Sequence, residues 1–215
     1  MSHEQLMDRV YRRQRHFYDA TRWLFLPGRD RLLDALEIRL GERVLEVGCG
    51  TARNLIVLAR RYPSARFYGL DASGEMLKTA AAKVADAGLS EQITLCRCLA
   101  EELDHKVHFN LDKSFDAAFF SYSLTMMPSC VDALEAALRC LKPGGRLCIV
   151  DFWDLGGWPR PLRWMLKKWL ALFHVRHRPE IIQYLDSLAR RDGGEFSLQF
   201  LVRRYAFITA LRKPV

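Results

Sequence analysis

The chain has 215 residues, half of them hydrophobic, which suits one α/β domain with a substantial core and excludes a disordered or fibrous protein. A net charge of +8 points to an anionic partner: a nucleic acid, an acidic membrane face or an acidic substrate, among which charge alone does not choose. Six cysteines without a C-x-x-C pair read as buried reduced thiols with no metal-ligand spacing, and no apolar run of about 18 residues is present to span a membrane.

In chain order, 1–26 reads as a helical segment mixing aromatic and basic residues. Its first fifteen residues are polar and basic, unlike a secretory leader, so a cytoplasmic location is expected. Pro27-Gly28 breaks the segment, and 29–40 resumes a helical pattern. Strands are expected near 43–47, 65–70, 92–98, 115–121 and 145–151, with helices near 52–62, 74–87 and 131–140 between them. That alternation predicts right-handed βαβ units and a mostly parallel sheet. Leu141-Lys142-Pro143-Gly144-Gly145 reads as a helix stop and turn. A Trp-rich, basic helix-like stretch follows to about 175, then a short helix near 180–191. Runs at 196–202 and 205–211 predict a terminal antiparallel hairpin. One domain is expected: a helical N-terminal cap over 1–40, a core over 41–151, and an amphipathic helix with the hairpin over 152–215.

The stretch VLEVGCGTARNL, 44–55, carries the chemistry. In a doubly wound sheet, ligands bind beyond the carboxyl ends of the strands, where strand order reverses. Gly48 and Gly50 let a ligand approach the backbone there, but the third glycine of a dinucleotide fingerprint is replaced by Arg53. Glu46 at the strand end would repel a pyrophosphate and favours a ligand with a cationic or hydrogen-bond-donating group. Gly69-Leu70-Asp71-Ala72-Ser73 ends the second strand about 20 residues on, where a carboxylate accepts ribose hydroxyls. A nucleoside with a free ribose and no pyrophosphate describes S-adenosyl-L-methionine.

Glu46-Val47-Gly48-Cys49-Gly50-Thr51-Ala52, Asp71-Ala72 and Leu141-Lys142-Pro143-Gly144-Gly145 together resemble the class I S-adenosylmethionine-dependent methyltransferases over about 43–151. Ala52 stands where that family usually has the last glycine. The resemblance implies a Rossmann-like fold with a mostly parallel seven-stranded sheet, and S-adenosyl-L-methionine as cofactor. It implies cofactor contacts by Glu46, Gly48, Gly50, Thr51, Asp71 and Ala72. Met76 falls where the family packs a side chain on adenine. Leu99 and Ala100 fall where an acid followed by alanine holds the base, with Leu99 in the acid's place. Ser121 falls near the methionyl part.

After the fourth strand comes Ser121-Tyr122-Ser123-Leu124-Thr125-Met126-Met127-Pro128, not the N-P-P-Y or D-P-P-Y of enzymes acting on nucleic-acid bases. No nucleic-acid partner is therefore expected, although a basic binding module on this fold is an alternative. From Trp158 to Arg178 there are six basic residues and no acid. Leu162, Met165, Leu166, Trp169, Leu170 and Phe173 recur with helical period on one face. An ordinary helix covering the sheet explains this, and so does a helix at an anionic membrane surface.

Tyr18-Asp19-Ala20-Thr21-Arg22 with Phe25-Leu26-Pro27-Gly28-Arg29-Asp30-Arg31-Leu32 is similar to the opening of the betaine-lipid diacylglyceryl-homoserine N-methyltransferases. Ser121 to Met126, Val150-Asp151-Phe152, Phe173-His174-Val175 and Tyr205-Ala206-Phe207 share the likeness. It implies a glycerolipid substrate, three successive methyl transfers to a headgroup amine, and peripheral association with the inner face of the cell membrane. Phosphatidylethanolamine and small-molecule or quinone methyltransferases are the alternatives. Methyl transfer from a sulfonium is an in-line displacement that needs alignment, a neutral lone pair and exclusion of water. Tyr18 and Tyr122 are the candidates to line the amine site, where aromatic faces stabilise a growing cation. Arg22 is the candidate partner of the cofactor's carboxylate, and His174 and His177 are surface or relay groups.

Overall fold

The computed structural model describes residues 25–173 and 175–215. At its centre β1 (Arg43–Val47) pairs in parallel with β2 (Arg66–Asp71) on one side and β4 (Phe115–Ser121) on the other. Beyond β2 lies β3 (Ile93–Arg97), and beyond β4 lies β5 (Leu141–Phe152), both parallel. The hairpin β6 (Glu195–Leu201) and β7 (Ala206–Arg212) adds to β5 antiparallel through β7. The sheet runs β3-β2-β1-β4-β5-β7-β6, a mostly parallel seven-stranded sheet with a terminal antiparallel hairpin, which is the architecture expected. Chain order reverses between β1 and β4, and a crevice opens there.

Strand alternation divides the core in two. Val44 and Phe119 face one layer with Leu32, Leu33, Leu55 and Leu58; Leu45 and Phe120 face the other with Leu134, Phe115 and Phe207. The first layer is supplied by α1 (Arg29–Ala35) and α2 (Arg53–Arg61), with α3 (Gly74–Asp86) beside them. The second is supplied by α4 (His105–Phe109), α5 (Cys130–Arg139) and α7 (Pro179–Asp192). Helix α6 (Arg160–Ala171) follows β5 and packs through Leu170 on the first layer.

Four local expectations need correction. Helix α1 stops at Ala35 and does not reach 40, because buried Arg146 donates to the carbonyls of Leu36 and Glu37 and pairs with Glu42. Lys142-Pro143-Gly144 is a bulge within β5, not a turn before it: Leu141 already pairs with Phe115, and regular pairing resumes at Ala117 with Arg146. Helix α4 was not anticipated, although Asp104 is a visible N-cap that accepts from Lys106 N and Val107 N. On α6, Met165 points out to solvent while Leu162, Leu166, Trp169 and Phe173 are half-buried. The segment expected to form the rest of the N-terminal cap, 1–24, lies outside the described residues.

Candidate functional site

The crevice is walled by the loops leaving β1, β2, β3 and β4 and encloses about 710 Å³, counting its open mouth. Behind β1 the chain turns through Gly48 at φ +76°, and both Gly48 N and Cys49 N donate to Leu70 O at 2.9 Å. A Cβ on Gly48 would stand 2.6 Å from Ser123 Cβ, so this glycine is required by the neighbouring loop, not only by a ligand. Ser123 cannot retreat easily, because its hydroxyl donates to Val47 O at 2.8 Å.

Asp71 ends β2 and faces the glycine turn. Gly50 N donates to its Oδ2 at 2.8 Å and Ser73 N to its Oδ1 at 2.9 Å. Two backbone amides thus fix the carboxylate. Ser73 also caps α3 by accepting from Met76 N at 3.3 Å, which places Met76 on the crevice wall. Across the opening, Tyr122 follows β4 in a left-handed conformation, φ +56°. Its ring lies 4.6 Å from that of Phe152, and its hydroxyl donates to Pro27 O at 2.5 Å. Burial, with Asp151 and Tyr205 near, pushes the phenol far above its ordinary value. It is not a general base.

The crevice is acidic although the chain is basic: Asp71 and Glu101 line it, and no lysine or arginine does among the described residues. Ser121 Oγ, at its wall, is buried with no hydrogen-bond partner among the described residues. Burial, reinforced by the charges of Asp71 and Glu46, raises the Cys49 thiol, so it is not a nucleophile. Among the described residues no cluster of His, Cys, Asp or Glu suits a metal ion. An acceptor-rich slot with a fixed carboxylate at the β2 end suits a ribose and a cationic sulfonium.

The known proteins agree with that chemistry. Residues 44–145 match the model of a methyltransferase domain. A demethylmenaquinone methyltransferase of Listeria monocytogenes is 33% identical over 129 residues, which are 60% of this chain and only 52% of the relative, so the match spans about half that protein's length. The ubiquinone/menaquinone biosynthesis C-methyltransferase UbiE of Methylococcus capsulatus is 33% identical over 186 residues, covering 83% of this chain and 68% of the relative. This chain is a class I S-adenosylmethionine-dependent methyltransferase. Its fold also matches a phosphoethanolamine N-methyltransferase of Haemonchus contortus, with a TM-score of 0.79 at 16% identity over 100% of this chain and 61% of that one.

In this methyltransferase the crevice gathers Gly48, Gly50, Asp71, Ala72, Met76, Leu99, Ala100, Ser121 and Tyr122, which the sequence had nominated separately. With S-adenosyl-L-methionine in this crevice, the roles the resemblance implies would fall to Asp71 at the ribose hydroxyls, to Met76, Leu99 and Ala100 at the base, and to Ser121 near the methionyl part. The cofactor supplies an activated methyl group on its sulfonium. The protein's part is to align, to exclude water and to stabilise charge.

Glu46 and Thr51 sit differently from the ligand-facing role expected of them. Both are buried and neither lines the crevice. Glu46 Oε1 accepts from Asn54 Nδ2 at 2.7 Å, and Asn54 Oδ1 accepts from Arg29 at 3.0 Å. This buried chain braces the glycine turn against α1. Asn54 and Arg29 were missed, since neither residue type at its spacing announces a partner across the fold. Glu101, Met126 and Met127 were missed as lining residues. Asp151 was noticed only in a likeness. It is fully buried at the end of β5 and accepts from Thr125 N (3.0 Å), Thr125 Oγ1 (2.5 Å) and Phe152 N (2.8 Å). It thereby fixes the turn that carries Met126 and Met127. Tyr18, Arg22 and His174 lie outside the described residues, while His177 packs edge-on against Trp153, away from the lining groups.

Proposed function

We propose that this methyltransferase acts on an amine nitrogen in the headgroup of a membrane amphiphile, a diacylglyceryl-homoserine lipid carried through to the trimethylated betaine. The observation that carries the reading is the character of the crevice. Tyr122, Met126, Met127 and the acids Asp71 and Glu101 surround it, without a basic side chain among the described lining residues. An aromatic face and nearby carboxylates favour a nitrogen that gains permanent positive charge with successive methyl transfers. Proximity to the cationic sulfonium lowers the pKa of the incoming ammonium against the opposing pull of the carboxylates, and solvent water takes its proton before the methyl transfer, so no dedicated strong base is required. The likenesses at Ser121 to Met126 and Val150 to Phe152 support the same substrate class.

A second reading, ring C-methylation of a quinone precursor, is favoured by the names of the curated relatives. It asks for an enolate or phenolate acceptor, which the acidic lining of the crevice does not favour. Purified protein incubated with labelled S-adenosyl-L-methionine and a mixed lipid extract separates the two when the labelled products are identified by mass. Label on a homoserine-ether lipid supports the amine reading. Label confined to a quinone overturns it, and label on phosphatidylethanolamine moves the substrate to a neighbouring amine lipid.

A further inference from the structure

Helix α6 has a second face that the fold leaves uncovered. Its inner residues pack on the sheet, but Trp164 is 66% exposed, Met165 54% and Leu172 68%. Pro161, Trp164, Met165, Lys168 and Leu172 follow the spacing i, i+3, i+4, i+7, i+11, which is one continuous stripe on the outer surface. Beside it stand Arg160, Arg163 and Lys167. No ion pair among the described residues uses these three groups or Lys168. No acid occurs between Asp154 and Glu180. A merely solvated helix would put polar groups where Trp164, Met165 and Leu172 stand.

The tip of the β6–β7 hairpin extends the same surface. Trp158 Nε1 donates to Val202 O at 3.2 Å, and Gly157 N to Arg203 O at 3.2 Å, which bring the tip against the start of α6. Val202 is 51% exposed and Arg203 is exposed beside it. Apolar and basic groups therefore alternate over two neighbouring elements.

We propose that this surface docks on an anionic lipid bilayer, with α6 lying flat at the headgroup level. Twelve helical residues span about 18 Å, well short of the roughly 30 Å hydrocarbon core, so α6 does not cross the membrane. Tryptophan and long basic side chains on one face suit the boundary between headgroups and acyl chains. Lys168 already lies over the Trp164 ring at 5.8 Å, so its stem covers apolar surface while its charge stays at the headgroup plane. The inner side of α6 is linked by contacts to the crevice wall. Trp169, on the inner side of α6, meets Phe25 at 4.8 Å between ring centroids, and two residues on, Pro27 O receives the Tyr122 hydroxyl. A bilayer on this face would lie near the segment that Tyr122 ties to the crevice wall. The docking deepens the amphiphile reading and rests on it only for what the surface delivers.

The test is flotation of the full chain with phosphatidylglycerol–phosphatidylcholine vesicles and with pure phosphatidylcholine vesicles at about 0.15 M salt. The wild type is expected to float with the anionic vesicles and to partition far less onto the zwitterionic ones. Lys167→Glu/Lys168→Glu and Trp164→Glu should each weaken flotation at least about tenfold, because each basic group near an anionic surface contributes on the order of a factor of five. Unchanged S-adenosyl-L-methionine affinity in both variants would show that they fold. No flotation of the wild type overturns the proposal, as do equal partitioning onto both vesicle types and unweakened variants. Tight retention on RNA at that salt, without flotation, also overturns it by giving the surface to a nucleic acid. Each of these failures leaves the amine reading standing, since that is judged by the mass of the labelled product.

Discussion

The hydroxyl of Tyr122 donates to the backbone carbonyl of Pro27 at 2.5 Å, across 95 positions of sequence, and so ties the crevice wall to the segment preceding α1. Tyr205 makes a parallel tie two residues earlier, from its hydroxyl to Phe25 O at 3.1 Å. The Tyr122 hydroxyl is thus committed to structure, and under the proposed amine reading only its ring would contact the acceptor. Tyr122→Phe should lower stability by about 1 kcal/mol through the lost hydrogen bond and leave the pH–rate profile unchanged. Tyr122→Leu keeps bulk against Phe152 but removes the π face. The last methyl addition, to the most cationic nitrogen, should then slow on the order of tenfold relative to the Phe variant. Product distributions resolved by mass check this. Equal rates for Phe and Leu would remove the ring from the amine site.

Asp71 is held by two backbone amides, so its carboxylate would meet the ribose of a bound cofactor already positioned. Loss of two charge-assisted hydrogen bonds should weaken S-adenosyl-L-methionine binding by about a hundredfold in Asp71→Ala, read by calorimetry. Circular dichroism should show the fold retained, because the amides of Gly50 and Ser73 sit at the crevice edge where water can replace the lost acceptor. Wild-type affinity in this variant would put the sugar elsewhere.

The alanine that replaces the family's last glycine has a physical account. Ala52 adopts φ +59°, ψ 20° at the start of α2, and its methyl group is fully buried in the first core layer. The left-handed conformation costs about 1–2 kcal/mol in a residue with a Cβ, while a buried methyl returns about 0.8 kcal/mol. Ala52→Gly should therefore shift the denaturation midpoint by no more than about 1 kcal/mol equivalent. Gly48→Ala is different in kind: it adds the same φ penalty and forces a Cβ against tethered Ser123. We expect it to cost more than about 2 kcal/mol. Similar losses in the two variants would show that close approach to Ser123 is not what demands the glycine.

Much of this molecule was readable before the structure. Strand β1 and the Gly48–Gly50 turn announce themselves through a short apolar run carrying an acid at the strand end, and Asp71 through its place at the end of the next strand. These are local signals, set by backbone conformation and by what a ligand needs at a strand end. What could not be read depends on partners brought together by the fold. Nothing near Glu46 in sequence says that Asn54 and Arg29 will engage it, and nothing near 29–40 says that Arg146 will take the last carbonyls of α1. The α6 pattern was read as one apolar face, whereas Met165 lies at the edge of the buried arc and turns outward with Trp164 and Leu172. Helical periodicity finds an apolar stripe but does not say how wide an arc the neighbouring sheet can cover.

Asp151 gives a pH prediction of definite sign. It is fully buried; burial outweighs its three hydrogen bonds and lifts its pKa to about 6, against an ordinary value near 3.8. Between those two values the folded protein holds a proton that the unfolded chain has released. This contribution to stability is therefore fully present below about pH 3.8 and is lost as pH rises through about 6. Its slope approaches about 1.4 kcal/mol per pH unit for one proton. Glu42, whose pKa is lowered by its pairing with Arg146 against the opposing effect of burial, pulls the other way and loses stability as the solution becomes acidic. The clean observable is thus the difference between wild type and Asp151→Asn, in urea denaturation at a series of pH values from 4 to 7. The stability of the variant relative to wild type should rise through that interval as wild-type Asp151 ionises in its buried site. A pH-independent difference would mean that the hydrogen bonds from Thr125 and Phe152 outweigh burial and keep the carboxylate ionised throughout.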